Sequence, residues 1–367
     1  MGTGARACFS NYKDKYAQSM ILKNTRARML PAVGALLLGA ATNDAAAQPT
    51  RPMLIPHSSW DCYLPDGIPA PEDGTLIFEL EIPLDRAVTI GTTPYGERSV
   101  AVGAQGAADG PRFSGTVMEG ALDFMLTLPN GTIEIEQILV LQAADGSYVL
   151  ARNAGTGPSA DDVRIVLDFE APSASEHAWM NSGTYVARRE LDPSGRVLTL
   201  RVYDVSDVPG DADAAGAIEI AKPDGVPAQP WDYRRKAPAE QQGEMLIEEN
   251  VTLGRSQSVG ESKRGNRNII PITGGELRGR ISGKVLMGGA DYQNLSPPAE
   301  IDARYLWQAD DGEIIIVRNG GTFGSLAPTF EARVDGPYAF LNEGRYLSSN
   351  PGVGQGGVAL TFYESID

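Results

Sequence analysis

A carboxylate, a guanidinium and a phenol lie within four residues of one another in the last third of the chain, at Asp302, Arg304 and Tyr305. Such groups suit proton transfer or the stabilisation of an enolate-like oxyanion, and they do not suit redox chemistry. We therefore predict these three as the catalytic residues of any reaction on a small carbonyl compound. The candidate ligand-binding residues flank them and are Asp291, Tyr292, Trp307 and Arg318.

The residues around Tyr305 alternate between apolar and polar in the manner of a β-strand. Successive side chains of a strand point to opposite faces, so Tyr305 and Trp307 share one face while Asp302 and Arg304 share the other. One cavity can receive all four only where the strand bulges. The structural alternatives are a solvent-facing pair for Asp302 and Arg304, a core aromatic for Tyr305 and a turn residue for Asp291.

Several other chemistries find little support in the sequence. The chain has two histidines, His57 and His177, and neither belongs to a motif typical of a metal site or a nucleophilic triad. Residues 352–357 match the glycine pattern of dinucleotide-binding loops, but a predicted strand follows them. Dinucleotides bind at the N-terminus of a helix, so we predict a hairpin loop here. We expect no metal and no cofactor.

An internal repeat is the strongest signal in the sequence. Residues 143–153 align without a gap with residues 309–319, which lie 166 positions further on. Three further matches occur in the same order, pairing 95–98 with 264–267, 179–181 with 340–342, and 200–203 with 360–363. Four ordered matches indicate a tandem duplication of one domain.

The composition favours an all-β fold. The chain of 367 residues contains 42 Gly and 25 Pro, which is typical of many short strands joined by turns. Alternating strands around turns such as Asp145-Gly146 and Asp311-Gly312 indicate an antiparallel sheet with one face buried, and a small barrel per repeat is the simplest such fold. The predicted order is a signal peptide (1–47), an extended arm (48–73), a diverged first barrel (74–205), a linker (206–243) and a second barrel (244–367).

The N-terminal segment has the order of a secretory signal peptide. Lys23, Arg26 and Arg28 precede an apolar run at residues 29–41, and alanines ending at Ala47 follow it. We expect cleavage near Ala47 and a periplasmic or secreted protein, with a disordered leader as the alternative. The linker carries Trp231 and Tyr233, which we expect to dock it onto a domain.

The charge and the cysteines limit the partners. The formal net charge is −16, and such a surface repels nucleic acid and anionic membranes. Cys8 would leave with the signal peptide and Cys62 would remain alone, so we predict no intrachain disulfide. A small-molecule ligand is the expected partner.

Four separated motifs of the second half resemble the DUF3237 family, also called UPF0311. They lie at residues 270–275, 288–292, 303–306 and 310–312, in family order, and the resemblance extends from 244 to 363. It implies a calycin- or lipocalin-like antiparallel β-barrel, and it does not imply an activity. Tyr292 stands where the family more often has Trp, and the first half is similar only as a diverged copy.

Comparison of the copies separates shared residues from residues special to one copy. Arg152 and Arg318 correspond, which favours a role in supporting the turn and hairpin, and Asp302 corresponds to Glu136. In contrast, Arg304 and Tyr305 correspond to an isoleucine and a leucine in the first copy. The second copy therefore has polar residues that the fold alone does not require.

Three functional hypotheses follow. The first is an exported barrel that binds an apolar or aromatic, carbonyl-bearing small molecule in its second domain. The second is a non-redox acid–base enzyme, an isomerase, cyclase or lyase, that uses the same pocket. The third is a structural or interaction protein in which the paired domains mimic a homodimer.

Overall fold

The computed structural model describes residues 51–209 and 216–366. The predicted signal peptide lies outside these residues. The described part of the chain forms one compact unit of strands and short 3-10 helices, and none of its helices is long and apolar enough to cross a membrane. The prediction of an all-β fold is confirmed.

The first half of the described chain contains twelve strands and two 3-10 helices. The helices span Pro71–Asp73 and Ala178–Asn181. The strands are β1 (Leu54–Ile55), β2 (Thr75–Thr93), β3 (Gly96–Gly103), β4 (Gly106–Asp109), β5 (Gly115–Val117), β6 (Leu122–Thr127), β7 (Ile133–Ala143), β8 (Tyr148–Gly157), β9 (Arg164–Leu167), β10 (Phe169–Glu170), β11 (Tyr185–Leu191) and β12 (Val197–Asp204).

The second half of the described chain repeats this arrangement. Its 3-10 helix spans Ala339–Asn342. The strands are β13 (Ile218–Glu219), β14 (Gln241–Leu253), β15 (Gln257–Ser262), β16 (Gly265–Gly279), β17 (Gly283–Val285), β18 (Ala290–Asn294), β19 (Glu300–Ala309), β20 (Ile314–Thr322), β21 (Ala327–Glu331), β22 (Tyr346–Ser348), β23 (Gly352–Gly354) and β24 (Gly357–Ile366).

Eight antiparallel strands close the first barrel. The ring runs from β2 through β3, β6, β7, β8, β9, β11 and β12, and β12 pairs again with β2. At the tight turn between β7 and β8, Gly146 has a φ of 85°, a left-handed conformation that glycine adopts without a steric penalty. Closure leaves this sheet without free edges along the ring.

The second sheet has the same order of strands, but fewer backbone hydrogen bonds close it at the seam, the place where β21 and β22 meet. In the first barrel, four residues of β9 pair with β11. At the equivalent place in the second barrel, the backbone N–H of Ser348 donates to the carbonyl of Leu326 at 3.1 Å, and no strand ladder runs between β21 and β22 in the described residues. The C-terminal glycine motif forms the predicted hairpin, with Gly354 opposite Gly357.

Each barrel has its own apolar interior. Leu80, Leu139 and Leu141 belong to the interior of the first barrel. Tyr305, Trp307 and their neighbours form the interior of the second. Alternation along the strands supplies these side chains, because every second residue of β7 and β19 points inward.

The two barrels pack against each other through apolar outer faces. One cluster contains Val100 and Phe124 of the first barrel with Leu306 and Ile316 of the second. A second cluster contains the counterparts of these residues in the other copy. They are Ile269 and Tyr292 of the second barrel, with Val140 and Leu150 of the first. The expectation of a sheet buried on one side only is therefore wrong for β7 and β19, because the outer face of each strand is covered by the other barrel.

Polar contacts across this interface are also reciprocal. Arg98 of the first barrel donates to both carboxylate oxygens of Glu331, at 2.7 and 3.2 Å. At the exchanged positions, Arg267 of the second barrel lies 3.2 Å from a carboxylate oxygen of Glu170. The same surface of each copy thus faces the other copy, as in an isologous interface.

The arm and the linker meet on the outside of the first barrel. Strand β1 in the arm pairs in parallel with β13 in the linker. Trp60 of the arm and Trp231 of the linker contact each other edge to face, with ring centroids 5.3 Å apart. The linker therefore docks, as its aromatic residues predict, and Trp231 lies at the boundary between the barrels.

A buried ion pair of this interface allows a matched test. The Arg98 and Glu331 side chains are 0% and 3% exposed, so R98M leaves the buried Glu331 carboxylate with the neutral Thr93 hydroxyl but without its ion-pair partner, and it should lower the free energy of unfolding by about 3–5 kcal/mol. The equivalent R267M should cost about 1 kcal/mol or less, because Ser262 and Arg264 still hold Glu170. Urea denaturation followed by circular dichroism measures both, and equal losses would contradict this account.

Candidate functional site

Strand β19 carries most of the predicted site residues and sends them to two different places. Tyr305 and Trp307 point into the second barrel, where they are 1% and 0% exposed. Asp302 and Arg304 point outward to the interface with the first barrel, where Arg304 is 0% exposed and bonds to Glu136. The predicted alternation is confirmed, and the alternative of a solvent-facing pair is wrong because the first barrel covers this face.

The interior group is completed by a residue that the sequence analysis missed, Glu249 on β14. One oxygen of its carboxylate accepts the Tyr305 hydroxyl at 2.8 Å, and the other accepts the Trp307 indole N–H at 2.7 Å. The carboxyl, phenol and indole form a hydrogen-bonded unit inside the barrel. We call Glu249, Tyr305 and Trp307 the interior trio.

Burial controls the protonation of the interior trio. Loss of hydration raises the pKa of Glu249 to about 7, although the bonds from Trp307 and Tyr305 lower it. Burial also raises the pKa of Tyr305 well above its ordinary value, and the nearby Glu249 carboxylate adds to this. Glu249 therefore titrates near neutral pH, a property that general acids and bases share.

Aromatic rings pack against Trp307 of the interior trio. The Trp307 ring lies 4.9 Å from Phe330 and 5.5 Å from Phe362 between centroids, and Phe330 lies 5.2 Å from Tyr346. These tilted and edge-to-face contacts hold the indole in one orientation. The barrel interior thus combines an aromatic wall with three polar atoms.

The first barrel has leucines at all three positions of the interior trio. The repeat alignment places Leu139 and Leu141 at the positions of Tyr305 and Trp307. Glu249 pairs with Leu360 on the last strand, and its counterpart Leu80 pairs with the corresponding Leu200. The barrel fold therefore does not require polar residues at these positions, and the polar trio is a feature of the second copy alone.

The outer group is organised around the buried carboxylate of Glu136. Its oxygens accept hydrogen bonds from Arg304 and from Arg318, the latter at 2.8 Å, and Arg152 lies at 3.4 Å. Burial alone would raise the pKa of Glu136, but the three guanidinium groups hold it below its ordinary value. Asp302 binds Arg304 through both carboxylate oxygens, at 3.0 and 3.1 Å. Arg152 and Arg318 thus lie at the interface rather than supporting a hairpin.

Asp291 lies within β18 and not in a turn. Its carboxylate accepts the Gln293 side-chain amide at 2.7 Å and the Asp302 backbone N–H at 3.2 Å. These donors are neutral, and burial raises the pKa of Asp291 to about 7. The corresponding Asp123 of the first barrel is bound instead by Arg189, at 2.5 Å.

Tyr292 lines a small cavity between the two barrels. The cavity also touches Ile138, Ile269 and Gln257, and it has room for about one water molecule. Burial raises the pKa of the Tyr292 hydroxyl above its ordinary value. Neither this cavity nor a second one at Leu84 and Asp123 touches Tyr305.

Three side chains in the first half of the chain have ligand atoms close enough to hold a metal ion. They are Asp145, Glu176 and His177, whose ligand atoms lie within 4.8 Å of one another. Two carboxylates and an imidazole suit a divalent transition metal. Asp145 also accepts the Ser147 hydroxyl and backbone N–H, so it has a structural role in the turn.

The missed residue Glu249 left a signal in the sequence. It lies between Ile247 and Val251, with the exposed Glu248 and the polar Asn250 on either side, so the strand pattern places it on the inward face. A glutamate at an inward position of a barrel strand is unusual, because burial of a carboxylate is costly without partners. Its partners lie more than 50 residues further along the chain, and the strand pattern does not identify them.

The fold and the site define a tandem antiparallel β-barrel protein with a hydrogen-bonded polar trio inside one barrel and leucines at the same positions of the other. The sequence profile of the DUF3237 family, described as a protein of unknown function, matches residues 74–208 and 242–365. The chain therefore belongs to the DUF3237 family, with one copy of the family domain in each half.

Individual relatives match the chain over shorter segments. A UPF0311 protein of Rhodopseudomonas palustris strain TIE-1 is 47% identical over 72 residues, which cover 19% of this chain and 47% of the relative. A UPF0311 protein of Clostridium acetobutylicum is 35% identical over 80 residues, covering 21% and 48%. The chain thus spans about half the length of these relatives. A solved beta-barrel like protein of Acinetobacter baumannii is similar over 35% of this chain and 98% of its own, at 27% identity and a TM-score of 0.31.

The raised pKa of Glu249 predicts a specific pH dependence of stability. The unfolded carboxyl ionises near its ordinary pKa of 4.5, while the folded one stays protonated up to about pH 7. The contribution of Glu249 is therefore complete below pH 4.5 and is lost as the pH rises to 7, by roughly 3 kcal/mol. E249Q cannot ionise, so the stability of the wild type relative to E249Q should fall across this range in urea titrations.

Two comparison variants complete this test. Glu248 is exposed on the opposite face of the strand, so E248Q should follow the wild type at every pH. D291N removes the other carboxyl that titrates near pH 7 and separates its effect from that of Glu249. Parallel stability curves for the wild type and E249Q between pH 4.5 and 8 would refute the raised pKa.

Proposed function

We propose that this protein is an exported, small-molecule-binding β-barrel protein and that its ligand binds inside the second barrel at the interior trio. The observation that carries this proposal is the contrast between Glu249, Tyr305 and Trp307 and the leucines at the same positions of the first barrel. Buried polar groups weaken a core unless they are satisfied, and an apolar alternative exists in the same chain. Export rests on the signal-peptide pattern at residues 1–47.

The chemistry of the interior indicates the ligand class. The aromatic rings around Trp307 favour an apolar or aromatic ligand body. The Tyr305 hydroxyl, the Trp307 indole and a protonated Glu249 are three donors, which suit one or two carbonyl oxygens. A small aromatic carbonyl compound would replace the bonds that these groups now make with one another.

Entry needs a local opening, because the interior trio is buried. The seam between β21 and β22 is the natural place, since the Ser348 to Leu326 bond replaces the four-residue pairing of the first barrel. Regions with few backbone hydrogen bonds open at low free-energy cost. Tyr346, at the start of β22, contacts the aromatic wall through Phe330, so opening there would lead directly to the trio.

A triple substitution tests the binding site. E249L/Y305L/W307L gives the second barrel the leucines of the first, so we expect a folded protein that no longer binds. Thermal-shift and NMR screening with small aromatic carbonyl compounds should identify ligands that stabilise the wild type. The same ligands should leave the triple variant's melting temperature unchanged.

A shape-preserving variant serves as the control. E249Q/Y305F keeps the volume of the interior but removes the carboxyl and the hydroxyl, so it should bind at least tenfold more weakly than the wild type. Undiminished binding by the triple variant would locate the site elsewhere. A screen that finds no ligand for the wild type would refute the proposal.

An acid–base enzyme is the second candidate, and the neutral-range pKa of Glu249 beside the Tyr305 hydroxyl favours it. In this case Tyr305 and Glu249 would exchange a proton with the carbon next to a bound carbonyl. Arg304 and Asp302, also predicted as catalytic, lie on the other face of β19 and would not touch such a substrate.

Exchange of hydrogen for deuterium tests this activity without knowledge of the substrate. Incubation of small ketones with the protein in heavy water, followed by proton NMR, would report loss of the α-proton signal. We expect Y305F and E249Q to abolish the exchange while R304M retains it. Exchange at the wild-type rate in Y305F would exclude the phenol from the reaction.

The first barrel, in this proposal, is a permanent partner for the second. The reciprocal pairs Arg98–Glu331 and Arg267–Glu170 support a comparison with a homodimer whose two subunits have been joined. Its leucine-filled interior would then be free of any binding role. The third hypothesis is an interaction protein without a ligand site. It predicts that the ligand screen finds no compound that stabilises the wild type.

A further inference from the structure

The linker crosses the boundary between the barrels and places two consecutive backbone carbonyls among the interface arginines. Arg318 donates to the carbonyl of Pro230 at 3.3 Å. Arg152 and Arg304 both donate to the carbonyl of Trp231, the latter at 3.0 Å. Arg152 and Arg318 occupy corresponding positions in the two copies, and they donate to the two neighbouring carbonyls.

The side chain of Trp231 fills an aromatic box beside these carbonyls. The guanidinium of Arg152 lies 4.2 Å from the centroid of its ring. Trp60 and Tyr63 of the arm contact the same ring edge to face, with centroids 5.3 and 5.2 Å away. An aromatic ring next to carbonyl oxygens is thus recognised by cation–π, aromatic and hydrogen-bond contacts together.

Groups outside the linker hold most of this site in place. The indole N–H of Trp60 donates to the carbonyl of Gly155 in the first barrel at 2.8 Å. Asp302 binds Arg304, and Glu136 binds Arg304 and Arg318. Arg152 is bound in addition by the linker residue Asp232, at 3.0 Å, whereas the rest of the site keeps its shape without its occupant, which is the property of a preformed binding site.

Two further features of this site favour the binding of a ligand. Tyr63 has a φ of 64°, and Cys62 before it has a φ of 50°, a left-handed conformation that costs free energy in residues other than glycine. Arg318 is 2% exposed, and its Nε has no hydrogen-bond partner. Backbone strain of this kind occurs at ligand-binding sites, and the free Nε–H of Arg318 is available to a ligand.

We propose that Arg152, Arg304 and Arg318, with Trp60 and Tyr63, form a second binding site for an aromatic compound bearing carbonyl groups, and that linker residues Pro230 and Trp231 occupy it as an internal ligand. This site lies between the barrels and is independent of the interior trio. An external ligand of the same chemistry would displace the linker, and the linker sets the concentration at which this happens.

N-acetyl-tryptophanamide is the matching probe, because it has an indole ring and one carbonyl on each side of the tryptophan α-carbon. W231A removes the ring from the internal ligand. We expect calorimetry to show at least tenfold tighter binding of the probe to W231A than to the wild type. W231A/R152M should lose this gain, because Arg152 contacts both the ring and the carbonyl.

Trp179 offers a matched control outside the site. The guanidinium of Arg112 lies 3.9 Å from its ring centroid, so W179A removes a similar cation–π contact that does not involve the interface arginines. We expect no gain in probe binding for W179A. An equal gain in W179A and W231A would mean that the probe only fills an apolar cavity, and it would overturn the proposal.

Displacement can also be followed in the unmodified protein. Arg235 and Lys236 follow the occupied segment, and Arg235 is exposed, so release of the linker should speed trypsin cleavage there. The probe at millimolar concentration should increase the cleavage rate several-fold in the wild type, and N-acetyl-alaninamide should not. The proposal of an internal ligand would be refuted if the probe left the cleavage rate unchanged and bound W231A no more tightly than the wild type. If W231A does not fold, W231F takes its place in the binding measurement.

Discussion

The arrangement of the two barrels depends on the ion pairs that the buried carboxylate of Glu136 forms with arginines of both barrels. This carboxylate belongs to the first barrel, yet two of the guanidinium groups around it, Arg304 and Arg318, belong to the second. Separation of the barrels would break the ion pairs of Glu136 with Arg304 and Arg318 and leave this carboxylate only Arg152, and the loss of a buried ion pair costs several kcal/mol. The apolar clusters on either side supply attraction without fixed geometry, whereas these bonds select one orientation.

This orientation also determines what each face of β19 does. Tyr305 and Trp307 point inward to Glu249, while Arg304, directly before Tyr305, points outward to Glu136. Neighbouring residues of one strand thus serve two separate polar groups, one inside a barrel and one between barrels. Because both groups share the backbone of β19, a shift of that strand would disturb both, and the packing on its two faces keeps it in register.

The duplication explains how the two groups coexist with a stable fold. The first barrel closes with a complete ladder between β9 and β11 and contains leucines at the positions of the trio. Among the described residues, the second barrel has a single backbone bond at the same seam, and its interior contains the polar trio. One copy thus has the features that favour stability, and the other has the polar trio at which we propose that a ligand binds, as expected where function and stability compete for the same positions.

The sequence by itself determined the all-β class, the two copies and the alternation along β19, because these follow from local patterns of period two and from self-similarity. It also indicated Arg304 and Tyr305 as special to the second copy. The partners of these residues were decided only by the tertiary structure. Glu249 meets Tyr305 through barrel closure, Glu136 meets Arg304 across 168 positions, and Asp291 lies in a strand because β16 and β19 pair on either side of it. Such contacts join residues far apart along the chain, and local sequence patterns do not encode which distant side chain will meet which.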